Sequence, residues 1–204
     1  MSQRIDFYFF IGSTYSYLSV ARAAKEASHA GVALNWLPFS VRTLMREQDN
    51  SPFSGKPVKL KYMWRDIERR AARFGIPFTG IPQYPIDKEE RANHVATLAS
   101  TEGWCQEFTQ AAYDLWYLKK LDPGSPDSLR TILESLGRDP DDCMARAESE
   151  ATVSLYKERT DAARALGIFG SPTFVVGSEI FWGDDRLDDA LAWCARGERP
   201  TAVG

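Results

Sequence analysis

The chain has 204 residues, 44% hydrophobic and 26% charged, which suits one domain or one domain carrying a sizeable insertion. Its 25 basic and 28 acidic side chains leave a formal charge of −3, which excludes the net basic face that general nucleic-acid or anionic-membrane binding needs. No apolar run approaches the roughly 18 residues of a membrane span, and the start, MSQRIDFYFFIGS, does not read as a signal peptide.

The first predicted element is a strand at 5–11, aromatic and aliphatic except for Asp6, which reads as buried on both faces. Gly12 and Ser13 punctuate it, and a helix follows at 14–30, with Tyr17, Leu18, Ala21 and Ala24 on one face and Gly31 as its stop. A second strand at 32–37 completes a β-α-β unit, so the two strands should be parallel. Residues 38–57 look irregular, with at most a turn of helix, and the length of this piece points to a functional role.

From residue 58 the pattern turns helical. Leu60, Met63, Trp64, Ile67, Ala71 and Phe74 recur at helical spacing before Gly75 and Pro77. After a loop at 80–85, helices are expected at 88–100 and 104–120. Ser125-Pro126-Asp127 caps a helix that stops at Gly137, Asp139-Pro140 starts a short one, and 150–166 forms the next. Strands return at 173–176 and 179–182 around the hairpin signal Gly177-Ser178, and a last helix covers 185–196. The order is β-α-β, a helical block at 58–166, then β-β-α.

Four groups of residues could carry chemistry. Ser13 stands where the first strand meets the first helix, a place where unpaired N–H groups and the helix dipole favour an anion; its hydroxyl either serves such a site or caps the helix. Gly170-Ser171-Pro172-Thr173 precedes a strand; a cis bond there would free the Ser171 N–H and C=O for an extended ligand, whereas a trans proline would only start the strand. Asp184 and Asp185 could hold a ligand ammonium or could complement the last helix's dipole. The cluster Lys56, Lys59, Lys61, Arg65, Arg69 and Arg70 mostly solvates a helix face beside Asp66 and Glu68, with one lysine available for a carboxylate. Cys105, Cys143 and Cys194 are dispersed, form no C-x-x-C pair and fit a reducing cytoplasm; with only His29 and His94 beside them, no metal centre is expected.

Three separated stretches, DFYFFIGSTYSYLSV, NSPFSGKPVKLKYMWRDIERRAARFGIP and GIFGSPTFVVGSEIFWGDDRL, resemble the 2-hydroxychromene-2-carboxylate isomerases, close kin of the kappa-class glutathione transferases within the thioredoxin superfamily. The resemblance implies an α/β thioredoxin-like fold over 1–57 and 167–204 with an all-helical insertion at 58–166. It also implies a cytoplasmic homodimer that uses glutathione and a small aromatic substrate. Carried over by residue, Ser13 is the catalytic serine that hydrogen-bonds the glutathione sulfur, and Pro172 is the cis-proline, with Ser171 pairing the cysteinyl backbone. Asn50 and Lys59 face the glycyl end, and Asp184 and Asp185 the γ-glutamyl end. Ser13 and Ser16 occupy the two cysteine positions of redox relatives, so dithiol exchange is excluded there. Phe10 stands where the family usually has an acid, Thr14 where it has proline, and Ser171 where it has valine.

The implied reaction is cis-trans isomerisation of an aromatic unsaturated 2-oxo acid by reversible thiolate addition, with Phe10, Tyr15, Trp64, Tyr84 and Trp182 available to hold the ring. The nearest alternative is a kappa-like transferase conjugating small electrophiles; a thiol-disulfide oxidoreductase and a non-catalytic binding module are further ones.

Overall fold

The structure is a computed structural model and describes residues 3–196; the outermost parts of the expected boundaries, 1–2 and 197–204, lie outside the described residues. A four-stranded sheet forms with the strands at 33–38, 4–9, 173–176 and 179–182 side by side in that order. Strand β1 (Arg4–Phe9) runs parallel to β2 (Ala33–Pro38), with Arg4 opposite Ala33 and Phe9 opposite Pro38. The parallel pairing follows from the crossover through α1 (Ser16–His29). On its other side β1 pairs antiparallel with β3 (Thr173–Val176), Phe7 opposite Phe174, and β3 turns into β4 (Glu179–Trp182).

Alternation along β1 sends Phe7 and Phe9 to one face and Tyr8 to the other, where Phe10, just past the strand, joins it. On the first face Phe7 stacks on Phe174 and meets Trp36 edge-on, each at 4.9 Å between centroids. On the second, Tyr8 and Phe10 pack with Phe39, Val41, Leu44, Ile168 and Val175. Asp6, the polar break in the strand, is spanned by a 2.8 Å hydrogen bond from Asn35 Nδ2 on the neighbouring strand.

Residues 38–57 hold more regular structure than their composition suggests. Helix α2 (Val41–Glu47) makes two turns, started by Ser40, whose hydroxyl accepts from the Thr43 N–H at 3.2 Å. Then come α3 (Pro57–Phe74), α4 (Arg91–Glu102), α5 (Cys105–Lys119), α6 (Pro126–Ser135), α7 (Pro140–Ala147) and α8 (Glu150–Ala165). Ser125 and Asp139 cap α6 and α7 ahead of prolines in their first turns, as the sequence indicates. The last expected helix divides: Asp184–Arg186 is a 3-10 turn and α9 is Leu187–Arg196. No helix among the described residues is long and apolar enough to cross a membrane.

Helices α4 and α5 fix the loop between β1 and α1. Asn93 of α4 brackets Ile11, its Oδ1 accepting from the Ile11 N–H at 2.8 Å and its Nδ2 donating to the Ile11 carbonyl at 2.9 Å. From α5, the Tyr113 hydroxyl donates to the Phe10 and Ser13 carbonyls at 2.8 and 3.0 Å, and the Tyr117 hydroxyl donates to the Thr14 carbonyl at 2.8 Å. Both tyrosines are fully buried, so their ring packing and these bonds hold the loop together.

Candidate active site

Gly12 begins the site. Its φ of 129° is a left-handed conformation that suits glycine, and an added Cβ would lie 2.6 Å from the Phe10 ring. Ser13 follows, partly exposed. It does not cap α1, which starts at Ser16 with no side-chain cap. Instead its hydroxyl donates to the Ser171 carbonyl at 2.7 Å, across 158 residues of chain. The Ser16 and Ser171 hydroxyls lie 2.9 Å apart. The Ser171–Pro172 peptide is cis, and among the described residues the Ser171 N–H takes part in no hydrogen bond.

Two cavities meet at Ser171, Tyr15, Tyr62 and Trp182. The larger, about 520 Å³, is lined by Phe10, Gly12, Ser13, Thr14, Val41, Arg42, Met45, Asn50, Phe53, Lys59, Met63, Tyr84 and Pro85, among others. The smaller, about 360 Å³, adds Asp66, Arg70, Pro172, Gly183, Asp184 and Asp185. Residues of the stretch after β2, from Val41 to Phe53, thus form one wall of the larger cavity.

Most of the residues singled out in the sequence meet here. Phe10, Ser13, Tyr15, Asn50, Lys59, Tyr84, Ser171 and Trp182 line the larger cavity, and Pro172, Asp184 and Asp185 the smaller. Asn50 is exposed, and the Lys59 ammonium stands 5.6 Å over the Phe53 ring. Trp64 lines neither cavity. It is buried behind Tyr84, 5.8 Å away edge-on, on the inward face of α3 with Ile67 and Ala71, so it supports the wall as core and does not face a ligand.

The two aspartates occupy different settings. Asp184 is 2% exposed; its Oδ2 accepts from Arg70 Nη2 at 2.6 Å and Nε at 3.0 Å, and its Oδ1 from Ser19 at 3.1 Å. Arg22, itself buried, places Nε 3.5 Å from the same Oδ1 and donates Nη2 to the Asp184 carbonyl at 2.8 Å. Asp185 is exposed, with Arg186 at 3.0 Å, and is the carboxylate of the pair open to a ligand. The basic cluster divides similarly. Arg65 and Arg69 pair with Glu68 and Asp66 along α3, while Arg70 turns inward to Asp184.

The partners of three groups, Tyr15, Arg42 and Asp87, are brought near by the folded chain and have no signal in the sequence. The Tyr15 hydroxyl donates to Asp66 at 3.0 Å, and burial together with that carboxylate pushes the phenol well above its usual range, so it stays a donor. Arg42 lies in the cavity wall with its guanidinium 4.8 Å over the Phe10 ring. Asp87, behind Arg42, accepts from the Arg91 and Ala92 N–H groups at 2.9 and 3.0 Å, yet burial pushes its carboxyl up to about 6. Above the ordinary carboxylate pKa the unfolded chain releases this proton first, so the charged form opposes folding. The contribution of Asp87 should therefore fall from about pH 4 to about pH 6 and then level off, by about 3 kcal/mol. Urea unfolding of wild type and Asp87→Asn across this range tests it: the stability difference between them should decline with rising pH, and a flat difference refutes the assignment.

No cysteine lines either cavity among the described residues. Cys105, Cys143 and Cys194 are all buried, and burial pushes the Cys105 thiol up to about 12, far from thiolate formation at neutral pH. The fold and site define a thioredoxin-type protein whose C-x-x-C place holds Ser13-Thr14-Tyr15-Ser16.

Comparison with known proteins agrees. The model of the DSBA-like thioredoxin domain matches residues 4–192. The chain is 30% identical to a 2-hydroxychromene-2-carboxylate isomerase of Sphingobium xenophagum over 190 residues, 92% of this chain and 96% of that one. It is 27% identical to glutathione S-transferase kappa 1 of Caenorhabditis elegans over 90% of this chain and 87% of that one. A solved 2-hydroxychromene-2-carboxylate isomerase superposes with a TM-score of 0.85 at 27% identity, covering 95% of both chains. The cytosolic disulfide reductase DsbM of Pseudomonas aeruginosa, solved with GSH, shares the fold at a TM-score of 0.62 and 14% identity, covering 95% of this chain and 96% of that one. The chain belongs to the DSBA-like thioredoxin family and, within it, to the 2-hydroxychromene-2-carboxylate isomerases; it is an isomerase-type enzyme.

Proposed function

We propose that the chain is a glutathione-dependent cis-trans isomerase of an aromatic unsaturated 2-oxo acid, interconverting compounds of the 2-hydroxychromene-2-carboxylate and trans-o-hydroxybenzylidenepyruvate type. The observation that carries this reading is the pairing of the Ser13 hydroxyl with the Ser171 carbonyl at the junction of two cavities that no thiol among the described residues lines. The residues fit a small zwitterionic peptide. Ser171 offers an unpaired N–H and a carbonyl to an extended backbone, Lys59 and Asn50 a cation and an amide for a carboxylate, and Asp185 an anion for an ammonium group. Asp184 holds the turn from which Asp185 projects.

When bound, glutathione supplies a thiolate able to add reversibly to a conjugated carbonyl system. The chain's part is to hold that sulfur as an anion. A ligand N–H on the Ser171 carbonyl competes with Ser13, releasing the Ser13 hydroxyl to donate to the sulfur. One hydrogen bond to a charged group is worth about 1.5–3 kcal/mol and the α1 dipole about 0.3–1 kcal/mol. Together they lower a thiol pKa from about 8.5 by one to three units, at roughly 1.4 kcal/mol per unit. Phe10, Tyr84 and Trp182 give the larger cavity aromatic surface for the substrate ring.

Calorimetry with glutathione tests the binding step: saturable heat is expected, and Lys59→Ala should weaken affinity about 1.5- to 5-fold by removing an exposed charge partner. Absence of heat at millimolar glutathione overturns the reading. The kappa-class relative favours one second reading, conjugation of small electrophiles. Glutathione consumption separates the two, since an isomerase regenerates the tripeptide each turnover and a transferase depletes it. A cytoplasmic homodimer belongs to the same proposal.

A further inference from the structure

We infer that Arg42 is the specificity residue for the substrate's carboxylate. This rests on the isomerase reading and deepens it. The larger cavity is lined by two cations, Arg42 and Lys59, and by no acidic side chain among the described residues, so its wall favours anions. A carboxylate entering among Phe10, Val41, Met45 and Tyr84 loses water and needs a charged partner there.

The positions of the two cations divide their work. Lys59 lies over Phe53, on α3. Arg42 lies beside the reacting centre: its Nη2 is 3.4 Å from where a Cβ on Gly12, the residue before Ser13, would stand. The guanidinium is held in place before any ligand arrives. Nη1 donates to the Asp87 carbonyl and Nη2 to the Ile86 carbonyl, each at 2.5 Å, and the Phe10 ring lies beneath it. Those bonds use two of the five N–H donors of a guanidinium, which leaves three for a planar, two-oxygen acceptor. Glu90, 3.9 Å from Nη1, reduces the charge without occupying those donors. A side chain fixed from behind, with donors left over and its face on the cavity beside Ser13, suits an acid group attached directly to the reacting carbonyl.

The test compares trans-cinnamate with trans-cinnamamide, probes of equal shape that differ in charge, by calorimetry without glutathione. Wild type should bind cinnamate at least tenfold more tightly. Arg42→Gln should abolish that preference, Arg42→Lys should restore part of it, and Lys59→Gln should leave it intact. The proposal is overturned if wild type shows no preference, if Arg42→Gln keeps it, or if Lys59→Gln removes it. If the Arg42 variants fail to fold, the wild-type and Lys59→Gln comparisons still decide. A parallel glutathione titration keeps this result separate from the isomerase reading. Arg42→Gln should change glutathione affinity less than twofold, and a tenfold loss there with the cinnamate preference unchanged would assign Arg42 to the tripeptide instead.

Discussion

Ser13→Ala should fold as the wild type does and lose most of its turnover. The change removes one hydroxyl, and the Ser171 carbonyl it leaves lies at a cavity surface where water replaces it, so the melting temperature should move by no more than a few degrees. On the proposed mechanism the sulfur loses the Ser13 hydroxyl as a donor. A donor aimed at developing charge is worth about 10²–10³ in rate, so kcat/KM should fall about a hundredfold or more. Glutathione affinity should change far less, because the proposed backbone pairing at Ser171 does not use the Ser13 side chain. The ultraviolet thiolate band of bound glutathione, followed against pH, should move toward the ordinary thiol value near 8.5. Wild-type turnover in the variant would remove Ser13 from the mechanism.

Asp184→Ala should be the more destructive change to the fold. The carboxylate joins α1, through Ser19 and Arg22, to α3, through Arg70, at the start of α9. Removing it leaves the Arg22 guanidinium buried with one anionic partner, the exposed Asp188. Breaking a buried pair by deleting one member costs about 3–5 kcal/mol, about 6–20 °C in melting temperature at this chain length. Asp184→Asn keeps the shape and the hydrogen-bond acceptor and should cost less. Thermal unfolding of both variants checks this, and a loss under about 2 °C in Asp184→Ala would mean that the arginines find other partners.

What the sequence discloses follows how local the cause is. Gly31, Gly75 and Gly137, the caps Ser125 and Asp139, and the alternation in β1 act within a few residues, and the elements they bound are found where expected to within a few positions. Helix α2 escaped because seven residues hold too little periodicity to stand out, although Ser40 with Thr43 three residues on was a readable cap. Trp64 shares α3 with Lys59 and Tyr62, and only the phase of Ile67 and Ala71 marks it as inward-facing. Ser13, Ser171 and the aspartates were legible through motif resemblance, since no local pattern sets Ser13 beside a residue 158 positions away. Arg42 and Arg22 had no such signal, and Arg70 showed only as one of a basic cluster, because what makes each notable is a carbonyl or carboxylate brought near only by the folded chain.

The bonds from Asn93, Tyr113 and Tyr117 onto residues 10–14 separate two tasks within the molecule. The loop carrying Ser13 is hydrogen-bonded from α4 and α5, whereas the chamber opposite is bounded by α2 and residues 50–53, and α2 meets the loop at Phe10 by packing, with Val41 and Leu44 beside the ring and the Arg42 guanidinium over it. On the proposed reading, substitutions among the thirteen positions 41–53 change the acceptor's chamber and, at Asn50, one contact of the tripeptide, while the hydrogen bonds that fix Ser13 stay in place. For a laboratory library, diversity belongs between positions 41 and 53.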